Sequence, residues 1–416
     1  MNICVRGPLL SISGYGNHTR QVYRWLSEKT NHKLTTQILP WGITPWHINP
    51  DSEGGLIGKI MSESTNIDGN ERFDMSFQVQ LPNEWDPNMA KFNVGVTAAV
   101  ETDKCNPHWI QCCNQMNLVV VPSEHTKNVL ESSGTLTTPI VVVAESFPDS
   151  FLQDEISDFP LPNVKTGFNF LMFGQITGGN AFSDRKNTFF TLKWLLEEFN
   201  GDHDVGVIIK TNNGRNTSID RKMVRDTLRK VRSEINSDVP VYLLHGAMTD
   251  EEIAGLYKNQ KIKALVTATR GEGYGLPLLE AAAAGTPVIA TNWSGHLDFL
   301  RAPSKNRAGN TKLKSHFLKV DYDIMPVQDK HLMPNLITKE CEWAYPKEKS
   351  FRKNLRFIRK NKDQFVPDAE SLKEYLRNKY SSENIHNKYK EEISKNLPEK
   401  SKLQDEVEKM FSQLSV

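Results

Sequence analysis

The chain has 416 residues and a formal net charge of +1, a length that exceeds one ordinary core and suits two domains with a cleft between them. The balance is uneven: residues 301–416 carry 25 basic and 17 acidic side chains against 26 and 33 in residues 1–300, a pattern that a solvated helical surface explains, with attraction to a phosphate-bearing acceptor, nucleic acid or an anionic membrane surface as the alternative. Five cysteines without paired CxxC spacing argue against disulfides and structural zinc, and no run of about 18 apolar residues offers an integral membrane segment.

The N-terminus, MNICVRGPLLSISGYG, enters a strand-like run at once and lacks the layout of a signal peptide, so a cytoplasmic location is expected. Short β-rich runs then alternate with helical patterns, the mark of βαβ units and an α/β fold with parallel sheets. In the first half the strands are NICVRG, KLTTQIL, MSFQVQL, FNVGVTAAV, MNLVVVPS and PIVVVAE, with helices in TRQVYRWLSEKT, HWIQCCNQM and EHTKNVLESSG. The loop after the first strand brings Gly14 and Gly16, which let main chain approach a ligand, and His18, a candidate for the cleft. Trp41 and Trp46 in PWGITPWHINP could stack on a sugar or a base, or serve packing. Glu101, Asp103 and His108, in VTAAVETDKCNPHW, are candidates to orient an acceptor hydroxyl or simply form a capped loop.

A loop over residues 147–166, rich in Pro, Asp and Phe, separates the halves. The strand rhythm restarts with FNFLMFG, DVGVIIKT, VPVYLLHG, IKALVTAT and PVIATN. Between the last two lies GEGYGLPLLEAAAAGTPVIAT, a glycine loop, a helix opened by Pro277 and a closing Gly285. A helix start behind such a loop suits a phosphate. Glu280, about one turn in, points back toward the rim, where a carboxylate matches a neutral diol such as ribose better than it matches phosphate. Glu272, on the loop, is left for hydroxyls of whatever the phosphate carries. Beyond about residue 345 the Lys-, Glu- and Asn-rich chain carries sparse apolar residues at helical spacing, as in LRFIRKNKDQF and ESLKEYLRNKY.

These residues resemble the retaining nucleotide-sugar glycosyltransferases of family 4, whose Glu-x7-Glu signature matches Glu272 and Glu280 within EGYGLPLLEAAAAGTPVIAT. Weaker likeness runs to about residue 346 through VVVPSEHTKNVL, FLMFGQI, DRKN, LLHGAMTDEEIAGLY and CEWAYP. The resemblance implies a GT-B fold: an acceptor domain over residues 1–150, a nucleotide-sugar domain over 151–346, both doubly wound and Rossmann-like, and a helical extension over 347–416. It implies that Glu280 holds the donor ribose and Glu272 the donor sugar, with Gly275 and Leu276 at the diphosphate. Lys186 and Arg185 would neutralise the leaving phosphate, and Gly14, Gly16, Gly174, Lys210 and Gly246 would complete the donor site. Gln175 stands where many members carry Arg; Arg270 is a further basic candidate. A UDP- or GDP-linked donor, a glycan or other hydroxyl acceptor, no cofactor, no metal and same-face substitution follow by resemblance. The rival readings are a glycosidase using the two glutamates, an epimerase, transfer to a modified base in DNA, and a non-catalytic nucleotide- or DNA-binding protein.

Overall fold

The computed structural model describes residues 1–65, 72–99, 101–153, 155–174, 184–305, 309–333 and 335–397. The first sheet is built from β1 (Asn2–Gly7), β2 (Lys33–Ile38), β3 (Phe73–Val79), β4 (Ala90–Val96), β5 (Leu118–Val121) and β6 (Ile140–Val142). Its order is β2-β1-β3-β4-β5-β6, and every pairing is parallel. The second contains β7 (Phe168–Phe173), β8 (Val205–Thr211), β9 (Val241–His245), β10 (Ile262–Val266) and β11 (Val288–Thr291). After a hairpin of β12 (Arg301–Lys305) and β13 (Thr311–Ser315), β14 (Leu318–Val320) completes a parallel sheet of order β14-β11-β10-β7-β8-β9.

Strands such as β5, LVVV, are buried along their whole length, as parallel strands covered on both faces must be. The covering helices are α1 (Gly14–Lys29), α2 (Leu56–Ser62), α3 (Pro107–Cys113) and α4 (Glu124–Ser132) on the first sheet. The second carries α5 (Thr188–Glu198), α6 (Ser218–Ile235), α7 (Asp250–Lys258) and α8 (Leu276–Ala283). Several helices start where a hydroxyl satisfies a free amide: Ser13 accepts from Gly16 N–H, Ser123 from Thr126 N–H, and Thr217 and Thr249 form capping boxes with Asp220 and Glu252. A second hairpin, β15 (Tyr322–Pro326) with β16 (Glu342–Pro346), lies outside both large sheets.

The chain then enters α9 (Glu348–Lys379), which packs on α5, α8 and β14, and α10 (Ser382–Asn396), which crosses to α1 of the first half. Trp25 of α1 stacks on Tyr389 of α10 with ring centroids 5.0 Å apart. Part of the basic excess of this region is held in ion pairs. Arg352 pairs with Glu197 and Glu198, Arg356 with Glu198, and Arg359 with Asp202 and Asp204, while Lys388 and Lys395 pair with Glu391 and Glu392 within α10. Among the described residues, no helix is long and apolar enough to cross a membrane.

Candidate active site

In the second sheet the strand order reverses between β7 and β10, and in an open parallel sheet the crevice at the carboxyl ends of such strands is where ligands bind. A cavity of about 960 Å3 opens there. Its second-half wall takes Gly174 after β7, Lys210 and Thr211 from β8, Ala247–Ile253 after β9, and Glu272, Gly275, Leu276 and Glu280 around the start of α8. The facing wall comes from Ser13, Gly14, Asn17 and Arg20 at the start of α1, from His47 and Glu53, and from Ser146–Ser150; α10 adds Ser382 and His386.

Glu280 is 9% exposed. Tyr257 donates its hydroxyl to Glu280 Oε2 at 3.3 Å, yet that hydroxyl also lies 3.0 Å from Pro277 O, and its single proton cannot serve both fully. Burial, with Asp250 nearby, pushes the Glu280 carboxyl up to about 8, against the opposing pull of Tyr257 and Lys210. At neutral pH it is therefore mostly protonated and can donate as well as accept, which suits a diol and revises the expectation of a plain carboxylate. Lys210 is buried, binds Gly246 O at 2.6 Å and Asn212 Oδ1 at 2.5 Å, and is held down to about 8 by burial.

Glu272 differs. Burial alone would raise its pKa, but Lys186 and Arg185 outweigh that and hold it below the usual carboxylate range. Lys186 Nζ sits 2.5 Å and Arg185 3.6 Å from Glu272 Oε2. Both cations are delivered by the turn before α5, where Asp184 accepts from Lys186 N–H and Thr188 N–H and Asn187 takes a left-handed conformation at φ +53°. The Glu272 backbone is pinned by Ser294, whose Oγ accepts its N–H at 2.9 Å from a residue itself at φ +89°.

The glycines of this loop do something other than admit a ligand. A Cβ at Gly271 would stand 2.0 Å from Glu101 O, and one at Gly273 would stand 2.4 Å from Ala98 O. Both bare faces let the second-half loop press on the first half. Gly273 O accepts from Ser123 Oγ at 2.7 Å, and Tyr274 donates to Glu145 O at 2.7 Å across the same seam. Gly275 alone keeps the conformational role, at φ +104° before α8. Gly16 is likewise a packing glycine, its Cα turned onto Ser11 O where a Cβ would meet that oxygen at 1.9 Å, whereas Gly14 faces open space in the cavity.

Of the residues proposed from sequence, Glu272, Glu280, Gly275, Leu276, Gly14, Gly174, Lys186 and Lys210 converge on the cavity. Gly246 stands just behind it through its carbonyl on Lys210. Arg185 lies outside the wall, bonded to Gly271 O and paired with Glu101 at 3.0 Å. All four acceptor candidates stand outside the cavity wall, Glu101 in its pair with Arg185. Asp103 is tied to the backbone of Glu342 in β16, and His108 is exposed at the start of α3 against Gln111. His18 is buried against Tyr389, 3.1 Å away, because α10 covers this face of α1. Its ring is 3.9 Å from Glu145, but burial lowers His18 to about 4 and raises Glu145 to about 8, so both are neutral at pH 7 and the contact is not an ion pair.

Arg270 is buried beneath Tyr345, 4.6 Å from its ring, rather than facing phosphate. Gln175 lies outside the described residues. Two Asp-x-Asp stretches occur, Asp202-His203-Asp204 and Asp321-Tyr322-Asp323, but none of these acids lines the cavity: Asp202 and Asp204 pair with Arg359, and Asp323 pairs with Lys347 at 2.6 Å. Of the facing wall, sequence reasoning found Gly14 and missed Arg20 and Glu53. Arg20 binds Glu53 at 2.6 Å and the carbonyls of Leu9 and Ser11, and Asp250, raised to about 6 chiefly by burial, looks toward that pair. Only the spacing of Arg20 one turn beyond the glycine loop could have signalled it.

Residues 236–307, which include Glu272 and Glu280 but neither Lys186 nor Lys210, match the family described as glycosyl transferases group 1. No curated protein matches the chain. Among solved structures it is similar to a glycosyltransferase from Rickettsia africae ESF-5, at 12% identity, 96% of this chain, 99% of that one and TM-score 0.63. It is also similar to Anabaena Alr3699/HepE in complex with UDP and glucose, at 11% identity, 95% and 100% coverage and TM-score 0.58. Against the pneumococcal O-GlcNAc transferase GtfA, solved with UDP and GlcNAc, identity is 11% over 86% of this chain, TM-score is 0.49, and the match spans 64% of the GtfA chain. At these identities the likeness speaks for the fold: two parallel-sheet, Rossmann-like halves facing a cleft, the GT-B arrangement, with a group 1 glycosyltransferase segment in the second half.

Proposed function

We propose that the protein is a retaining glycosyltransferase that moves a sugar from a nucleoside-diphosphate sugar to a hydroxyl acceptor without a metal ion. One observation carries the reading: Glu272 and Glu280, from a single strand–loop–helix unit, line the same cavity as Lys186 and Lys210 at the switch point of the second sheet. A glycosidase has no use for cations gathered at a helix start. UDP is the first donor nucleotide to test, because the Anabaena relative in fold is solved with UDP and glucose.

In this reading the donor's ribose meets Glu280, its diphosphate rests against Gly275 and Leu276, and its sugar reaches Glu272. The ion pair seen between Lys186 and Glu272 opens as the donor enters. Lys186, with Arg185 behind it, turns to the phosphate, and the freed carboxylate takes the sugar hydroxyls. The anomeric C–O bond breaks with its electron pair passing to the phosphate oxygen, the acceptor oxygen bonds the anomeric carbon on the same face, and the acceptor's proton moves to the departing phosphate. Once turned by donor binding, these cations stabilise the growing charge on that oxygen.

The test is a thermal-shift screen with UDP, GDP, ADP and their sugars, since a bound ligand raises stability by RT ln(1 + [L]/Kd). One nucleotide is expected to raise the melting temperature of the wild type and not that of Glu280→Ala; an equal shift in both would remove Glu280 from the ribose.

A further inference from the structure

The first sheet has a switch point of its own, between β1 and β3, and a second cavity of about 330 Å3 lies at the carboxyl ends of β1, β2 and β3. Its lining includes Arg6, Trp41, Gln80 and Glu84, with Leu39 and Pro40 at the edge. We propose that this cavity is a sugar-binding subsite, taking one pyranose ring of a carbohydrate acceptor against the indole of Trp41. The inference rests on the glycosyl-transfer reading above for the word acceptor, and on the cavity alone for the sugar.

Trp41 is held in place rather than loosely hung. Its ring stacks on Tyr15 with centroids 4.2 Å apart and 25° between planes. Its loop is tied to the segment after β1 through Ile12 N–H to Pro45 O, His47 N–H to Leu10 O, and Thr44 Oγ1, which contacts Ser11 Oγ and donates to Trp41 O. A fixed indole beside polar groups is an amphipathic platform, apolar on its face and wet at its rim. A pyranose has the complementary layout, C–H bonds on its faces and hydroxyls around its edge.

The polar groups match hydroxyls rather than phosphate. Gln80 is 5% exposed and its Oε1 has no hydrogen-bond partner, a cost of about 1–3 kcal/mol for a buried acceptor that a ligand hydroxyl would relieve after a small turn of the amide. Glu84, on the exposed rim, supplies a carboxylate that would repel an anion. Arg6 donates from one terminal nitrogen to Gln78 Oε1 at 3.2 Å and Glu84 O at 3.0 Å, while its buried Nε–H has no partner and is left for a ligand oxygen.

Position links the cavity to the transfer centre. Behind Trp41, the Tyr15 hydroxyl bonds Thr97 Oγ1 at 2.9 Å and accepts from Ala98 N–H at 3.2 Å, and Ala98 O is the atom that Gly273 closes upon, one residue from Glu272. The platform under the ring is thus joined through Tyr15 to the seam that closes on the Glu272 loop.

The experiment titrates the full chain with methyl glucosides, methyl galactosides, N-acetylglucosamine and their disaccharides, and separately with the same sugars carried on a lipid in neutral vesicles. The readout is the indole N–H resonance assigned by Trp41→Phe, with UDP-induced thermal shift measured on the same samples. One sugar series is expected to shift that resonance saturably in the wild type and, by isothermal titration calorimetry, to bind at least tenfold more weakly to Trp41→Ala and to Glu84→Ala, while the UDP shift stays as in the wild type. Whether the soluble or the vesicle arm responds tells a free glycan from a glycolipid. No response of Trp41 to any sugar, or variants that bind like the wild type, overturns the site. A wild type that ignores UDP, GDP and ADP but whose Trp41 answers to sugars instead removes the donor reading and leaves the subsite standing.

Discussion

Glu280 and Glu272 sit eight residues apart and burial pushes both carboxyls up, but Lys186 and Arg185 outweigh it at Glu272 whereas the pull of Tyr257 and Lys210 does not at Glu280. Glu280 is raised to about 8, mainly by burial. A carboxyl whose folded pKa lies above its unfolded value of 4.5 gives its full stability below pH 4.5 and loses it as pH climbs to about 8. Relative to Glu280→Gln, the wild type should therefore lose stability between pH 5 and 8, at no more than about 1.4 kcal/mol per pH unit, with no further divergence above pH 8. Chemical denaturation of both proteins across that range checks it; parallel curves would mean the carboxyl is ionised throughout. For Glu272→Ala the ion pair predicts a split. Lys186 loses its internal partner, while Arg185 keeps Glu101, so a cation becomes more available to phosphate and UDP should bind as well as in the wild type or up to about tenfold more tightly. Turnover, by contrast, should fall by about 10²-fold or more. Calorimetric titration with UDP beside a turnover assay separates the two effects, and weakened UDP binding would place Glu272 on the nucleotide instead. These two residues were legible in the sequence because a lone acid in an apolar helix and another in a glycine loop have few other uses. The pairing of Glu272 with residues 86 and 87 positions earlier was not, since nothing local to either segment encodes it.

At the scale of elements, the alternation of buried strands with capped helices was readable throughout the two large sheets, because a strand covered on both faces must be a short apolar run. The hairpins were not. β13, TKLKS, is exposed at four of its five positions and shows no apolar period, and β14 enters the second sheet with only Val320 buried. In the glycine loop before α8, two of the three glycines make room for the other half of the molecule. That role is testable. Gly273→Ala places a methyl group 2.4 Å from Ala98 O, backbone that cannot swing aside, so the seam must open. Overpacking of this kind costs about 1–3 kcal/mol, and turnover should drop with it while UDP affinity, set by α8 and β8, changes little. Gly14→Ala, in open space, should leave stability unchanged. Equal melting temperatures for Gly273→Ala and wild type would show that the seam is not closed in solution.

Across the whole molecule, the two halves are joined by more than the loop over residues 147–166. The path α9–α10 leaves the second half, where Phe351, Leu355 and Ile358 are buried, and ends on α1, where Tyr389 is buried against Trp25 and His18. α10 also lends Ser382 and His386 to the large cavity, so the strap both couples the halves and forms part of the site wall. If α10 is the coupling element, Tyr389→Ala should do more than remove a core side chain, a loss of about 3–5 kcal/mol for a large aromatic. The vacated space lies between halves rather than within one, so the first half loses its partner while the second keeps its own core of α5, α9 and the sheet between them. Scanning calorimetry should then resolve one cooperative transition in the wild type into two, the lower one belonging to residues of the first sheet, and UDP should raise chiefly the upper one, since the proposed nucleotide contacts lie on the second half. A variant that still melts as a single transition, merely lowered, would mean that the seam at Gly273 and Tyr274 is sufficient to couple the halves and that α10 is only a cover.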